Sequence, residues 1–173
     1  MQRRAFIRLV GGGIVTAATA PTLTACSSSL PPDAIAAWQP LPPPAAGSDP
    51  RHWMLAHALL APHSHNLQSW LVDLRTSGEM RLYCDRARLL PATDPHARQI
   101  MMSQGTFLEL LDLAARQLGL RADITLFPQG AFDPGQRPDN GQTAHIRFVA
   151  DATLQPDPLF GQVLLRHTNR NPY

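Results

Sequence analysis

Between residues 96 and 118 the chain carries one apolar stripe. Ile100, Phe107, Leu108, Leu111, Ala115 and Leu118 fall at helical steps along it. Asp94-Pro95 predicts the start of this helix and Gly119 its end. A helix that is apolar on one face must bury that face against a second layer. The flanking segments supply the layer. Residues 70–75 and 80–85, joined by Thr76-Ser77-Gly78-Glu79, read as a hairpin, and residues 121–127 and 143–150 alternate as strands do. Asp49-Pro50 predicts a shorter helix over 51–60, and Asp157-Pro158 a last helix through Leu165. Residues 86–94 read as irregular, and 128–142, rich in Pro, Gly and Asp, as a loop. The expected fold is α+β, a sheet flanked by helices. Ser103 and Gly105 make a small pair in the long helix that lets another backbone or a ligand come close.

Residues 1–25 are not read as fold. Arg3-Arg4-Ala5-Phe6-Ile7-Arg8 resembles a twin-arginine export signal. The 12 residues from Leu9 to Ala20 form a signal core, too short for a spanning helix, which needs roughly 20 apolar residues. Leu23-Thr24-Ala25-Cys26 resembles a lipobox, which implies lipid attachment at Cys26 and a membrane-anchored, exported protein. An ordinary secretory signal cut near Ala20 is the alternative, disfavoured by Pro21. Residues 26–50 read as a tether, since seven of the chain's 17 prolines fall there, and proline-rich segments are extended and semi-rigid. Within it, residues 34–38 suit one helical turn that docks through Trp38.

Every basic residue is Arg. Setting aside Arg3, Arg4 and Arg8 of the leader leaves 12 basic against 13 acidic residues. The sequence pI near 8.9 therefore reports the leader, and with 6% aromatic residues the chain lacks both marks of a nucleic-acid binder. Cys84, the other cysteine, ends a strand-like run and reads as a buried small hydrophobe. His52, His57, His63 and His65 have no accompanying carboxylate cluster, so no metal is assigned.

Two polar stretches carry the candidate chemistry. Ala61-Pro62-His63-Ser64-His65-Asn66-Leu67-Gln68-Ser69-Trp70 lies between a helix that Pro62 ends and a strand that Trp70 opens. Its carboxamides combine donors and acceptors, as a heterocycle edge does. Near the end stands Arg166-His167-Thr168-Asn169-Arg170, a guanidinium pair around a hydroxyl, suited to a phosphate monoester. From the residues alone, each is either a ligand element or a plain polar connection.

Pro62, Ser64, Asn66, Gln68 and Trp70 fall on the spacing of the Pro-Ser-Ser-x-Asn-x-Gln-Pro-Trp loop, and the chain in this respect resembles the FMN-dependent nitroreductases. His63 stands where a Ser is usual, and Ser69 replaces a Pro, removing a rigid turn. Arg166, Thr168 and Arg170 match that family's Arg-x-Ser-x-Arg motif with Thr for Ser. The run Asp94-Pro95-His96-Ala97-Arg98, Ser103-Gln104-Gly105 and Leu118-Gly119 is similar to an exported, double-length branch with two fused repeats. The resemblance implies a nitroreductase-like first repeat over 51–165 and the start of a second over 166–173, in a truncated chain. It implies FMN held by Ser64, His65, Asn66 and Gln68 on the ring and ribityl side and by Arg166, Thr168 and Arg170 at the phosphate. Only Arg51 precedes the loop, so one flavin site is expected, completed by the second repeat or a homodimer partner. The implied activity passes electrons from NAD(P)H through the flavin to a nitroaromatic or quinone-like acceptor, with no catalytic side chain required. The competing readings are an FMN-sequestering protein without turnover and a lipid-tethered module without cofactor.

Overall fold

The computed structural model describes residues 31–133, 137–169 and 171. The chain divides into two units, residues 1–37 and 38–173. The described part of the first is a single helical turn, α1 (Pro32–Ile35), with no buried residue. A 3-10 turn, Ala36–Trp38, follows. In the second unit Trp38 is half-buried against the core, as expected of the aromatic in the tether.

Helix α2 (Pro50–Ala58) starts where the Asp49 carboxylate accepts the Arg51 amide N–H at 3.0 Å, the side-chain cap that its sequence predicts. Arg51 itself is buried, and all three of its guanidinium nitrogens donate. Its Nε and Nη2 donate to both carboxylate oxygens of Asp49, at 2.9 and 2.6 Å. Its Nη1 donates to the carbonyls of Glu79, at 2.6 Å, and of Thr76. One guanidinium thus ties the start of α2 to the hairpin turn.

The sheet has four antiparallel strands, β1 (Trp70–Asp73), β2 (Glu79–Cys84), β3 (Leu120–Leu126) and β4 (Gln142–Ala150), in the order β1-β2-β4-β3. Met80 lies opposite Ile146 and Leu82 opposite Ala144, all four buried. Between them Glu79 faces Arg147, and Arg81 faces His145, on the polar side. Because side chains alternate, a slip of one residue would bury the charges, so the core fixes the register.

Helix α3 (Arg98–Gln117) lays Ile100, Phe107, Leu111 and Ala114 into the core with no exposure. It begins later than Asp94-Pro95 alone predicts. Ala97 takes a left-handed conformation at φ 52, and Asp94 caps from a distance, accepting the N–H groups of Arg98, Gln99 and Ile100 at 2.9, 3.0 and 3.2 Å. Three otherwise orphaned donors are satisfied by one carboxylate. At the other end Gly119 adopts φ 65 and donates its N–H to the Arg116 carbonyl. The last predicted helix is a 3-10 turn, Pro158–Gln162, capped by Asp157. Only Phe160, Val163 and Leu164 of this stretch pack on the core, too little apolar surface to support a longer helix.

The described part of the molecule is therefore α+β, a four-stranded antiparallel sheet with helices packed on its apolar face. Among the described residues no helix is long and apolar enough to cross a membrane.

Candidate functional site

The connection between α2 and β1 departs most from ordinary backbone. His65, Asn66 and Gln68 all have positive φ, at 53, 53 and 49°. Left-handed conformations cost an L-residue roughly 1–2 kcal/mol, least for Asn. Three in four residues need a rigid frame to hold them.

That frame is polar. His63 Nε2 accepts the Ser69 N–H at 3.1 Å and lies 2.8 Å from Ser69 Oγ. A backbone N–H only donates, so Nε2 carries no proton and Nδ1–H donates to the Ser64 carbonyl at 2.7 Å. The ring stands edge-on to Trp70, 4.9 Å between centroids. Ser69 is wholly buried, and its carbonyl accepts from Gln104 Nε2 and from the Asp85 amide, both at 3.0 Å. Arg88 donates to the Leu67 carbonyl at 2.6 Å. The turn expected to lose rigidity with Ser69 in place of Pro is thus fastened by hydrogen bonds. Pro at 69 would lack the N–H that His63 receives, so the two departures from the nitroreductase pattern touch and depend on each other.

Helix α3 supplies the other wall. The Ser64 amide donates to Ser103 Oγ at 3.0 Å, and Ser103 Oγ donates to the Gln99 carbonyl at 2.8 Å. Ser64 Oγ donates to Gln99 Oε1 at 2.9 Å, and Thr106 Oγ1 to the Pro62 carbonyl at 2.8 Å. Gln99, Ser103 and Thr106 recur at four- and three-residue steps, a polar strip on one helix face. The close backbone approach expected of the pair Ser103 and Gly105 occurs at Ser103, through this contact, and not at Gly105, where a Cβ would meet nothing within 4 Å. Gln99 and Thr106, unlike Ser103, were not legible as site residues, although the interrupted apolar pattern at 99, 103 and 106 is the trace they leave.

Pro62, His63, Ser64, His65 and Asn66 line an open hollow of about 350 Å³ with Gln99, Met102, Ser103, Thr106 and Thr168. The side chains of His65, Asn66 and Gln68 are exposed and hydrogen-bonded to no other described residue. Of the predicted site residues, Ser64, His65, Asn66 and Thr168 meet here, with Gln68 on the same loop. Arg166 does not line the hollow. Its Nη2 donates to the Leu60 carbonyl at 2.7 Å, its guanidinium lies 5.5 Å over the Trp38 ring, and its buried Nε has no hydrogen-bond partner among the described residues. Arg170 and Cys26 lie outside the described residues. Met102 also borders a second, apolar hollow of about 600 Å³ walled by Met101, Leu108, Leu126, Phe127 and Phe132.

Burial pushes the His63 pKa below its ordinary value, and the nearby Arg88 and His65 act in the same direction, against the Ser64 bond. Burial pushes the Cys84 thiol up to about 11, so at neutral pH it is a packed group and no thiolate. His57 is also a structural histidine, with Nδ1 2.9 Å from the Trp53 carbonyl and its ring against Trp53 and Phe160.

No protein-family model matches the chain. Two relatives are similar to it, both from Mycobacterium tuberculosis: Uncharacterized protein Rv3127 of strain H37Rv and Uncharacterized protein MT3212 of strain CDC 1551. Each is 33% identical over 127 residues, which cover 69% of this chain and 36% of the relative. The chain thus spans about a third of the length of the curated relatives it matches.

Proposed function

We propose that the chain is part of an FMN-binding oxidoreductase of nitroreductase type, which takes electrons from NAD(P)H and passes them to a nitroaromatic or quinone-like acceptor. The observation that supports this most is the loop: three non-glycine residues at positive φ, their side chains hydrogen-bonded to no other described residue, beside a polar hollow. Such strain persists only where the surroundings over-determine it, and it gathers at ligand sites.

The residues fit one side of the cofactor. Ser64 offers a hydroxyl, and Asn66 and Gln68 offer carboxamides with donors and acceptors together, a match for a flavin edge and ribityl hydroxyls. His65 stands beside them and is assigned to the ring side. Thr168 brings a hydroxyl to the hollow wall. Arg166 is engaged by Leu60 and Trp38, so the phosphate assignment rests on Thr168, Arg170 and groups of a second repeat or a homodimer partner. The flavin, when bound, supplies hydride acceptance and electron transfer. This chain's residues bind and orient it, and none is assigned as acid, base or nucleophile. Export by the twin-arginine route and anchoring through lipidated Cys26 belong to the same proposal.

The test is the absorbance of the full chain purified with excess FMN, followed by NAD(P)H oxidation with a nitroaromatic acceptor. Flavin bands with turnover are the expected result. Flavin bands without turnover favour the sequestering reading, and a colourless protein overturns the flavin assignment.

A further inference from the structure

The two positions at which the loop departs from the nitroreductase pattern form one unit, and it has an acid–base chemistry. His63 Nε2 receives the Ser69 N–H at 3.1 Å while Nδ1–H holds the Ser64 carbonyl at 2.7 Å. This pair closes residues 64–68 into a ring, and the left-handed residues His65, Asn66 and Gln68 lie inside it. We propose that His63 and Ser69 form a proton-sensitive clasp that positions the ligand loop: neutral His63 holds it closed, and protonated His63 lets it open.

The mechanism is a conflict of donors. Protonation places a hydrogen on Nε2, directed at a backbone N–H that has nothing to accept it with. The Ser69 N–H loses its partner inside the protein, and an unmade buried hydrogen bond is costly. The Ser69 hydroxyl can turn to accept from imidazolium, but the amide cannot. The charge finds poor support from its surroundings. Arg88 from the turn after β2, although paired with Asp85 at 3.1 Å, and His65 of the same loop both disfavour it, and the Cys84 thiol of β2 beside Ser69 stays protonated throughout. The side chains that α3 and β1 bring to this end of the loop, Gln99, Ser103 and Trp70, are uncharged. With the clasp broken, the backbone strain at 65, 66 and 68 drives the loop away from the closed form.

The clasp does not depend on the flavin reading, which concerns only what the loop holds. The test therefore uses the full chain without flavin. Nitrogen NMR of the His63 ring and the hydrogen-exchange protection factor of the Ser69 amide are followed from pH 8 to pH 5. At pH 8 His63 is expected as the Nδ1–H tautomer with Ser69 protected. Protection should fall at least tenfold, with the same midpoint as the His63 ring. His63→Gln, which keeps an acceptor but cannot titrate, should abolish the step, and Ser69→Ala, which keeps the N–H, should retain it. An Nε2–H tautomer at pH 8, Ser69 protection that ignores the His63 titration, or a step that survives in His63→Gln would each overturn the proposal. The wild-type titration decides the matter even where a variant fails to fold.

Discussion

Two connections lead into and out of β1, and each contains positive φ. The turn after β1 assigns it to Gly78, at φ 71, where a Cβ would meet nothing within 4 Å. The loop before β1 assigns it to His65, Asn66 and Gln68. Glycine accepts that conformation without a steric penalty; the other three do not. Both connections are braced by a basic side chain from elsewhere, Arg51 on the turn and Arg88 on the loop. The difference therefore lies in what is displayed. The turn shows bare backbone, whereas the loop keeps an imidazole and two carboxamides at a cost in stability. Ala97 before α3 also takes a left-handed conformation, but singly; three such residues within four set the loop apart.

The largest effect should come from the brace of the turn. Arg51→Met leaves half-buried Asp49 and two carbonyls without their partner, and losing charge-assisted hydrogen bonds of this kind costs about 3 kcal/mol; urea denaturation measures it. Because the loop hangs on other contacts, the Ser69 amide of that variant should stay protected. His63→Ala should cost about 2 kcal/mol, since it strips partners from the Ser69 N–H and the Ser64 carbonyl, and it should expose the loop to exchange while the turn stays intact.

Acid should separate the two regions as well. The His63 pKa in the fold lies below 6.5, so the unfolded chain takes up the proton first. Its contribution to stability is complete above 6.5 and is lost as the pH falls from there through the folded value. Arg51 holds the Asp49 carboxyl down at about 2 against an ordinary 3.8. Its contribution is present above 3.8 and is lost as the pH falls from 3.8 to about 2. Denaturation midpoints against pH should show both steps, His63→Gln removing the upper and Asp49→Asn diminishing the lower, to which the likewise depressed Asp73, Asp123 and Asp151 also contribute.

The smallest effects have opposite signs, which makes them the sharpest comparison. Gly78→Ala should destabilise by about 1 kcal/mol from its φ alone. His65→Gly and Gln68→Gly should each stabilise by about 1 kcal/mol through strain relief, less the entropy that glycine adds to the unfolded chain. Thermal unfolding of the three variants resolves the signs.

Local signals explain what was legible in the sequence. Asp49-Pro50, the Thr76–Glu79 turn and Gly119 act within a few residues, and each stands where its chemistry predicts. The start of α3 was misplaced because Asp94 caps four to six residues ahead, across a left-handed Ala97, a geometry that no short pattern encodes. The loop residues Ser64, His65, Asn66 and Gln68 could be named from their functional groups. Their supports could not. Gln104 meets Ser69 across 35 positions and Thr106 meets Pro62 across 44, contacts that only the packing of α3 on the sheet creates. Arg166 had the right chemistry for phosphate but lies near a carbonyl and an aromatic ring that hold it first.

Under the proposed function the strained loop is a ligand loop. FMN binding to the full chain, read from flavin fluorescence, tests it when wild type is compared with a variant carrying glycine at 65, 66 and 68. The glycine variant is expected to be more stable and to bind FMN at least tenfold more weakly. A wild type that binds no FMN, or a glycine loop that binds it equally well, would overturn the ligand-loop assignment.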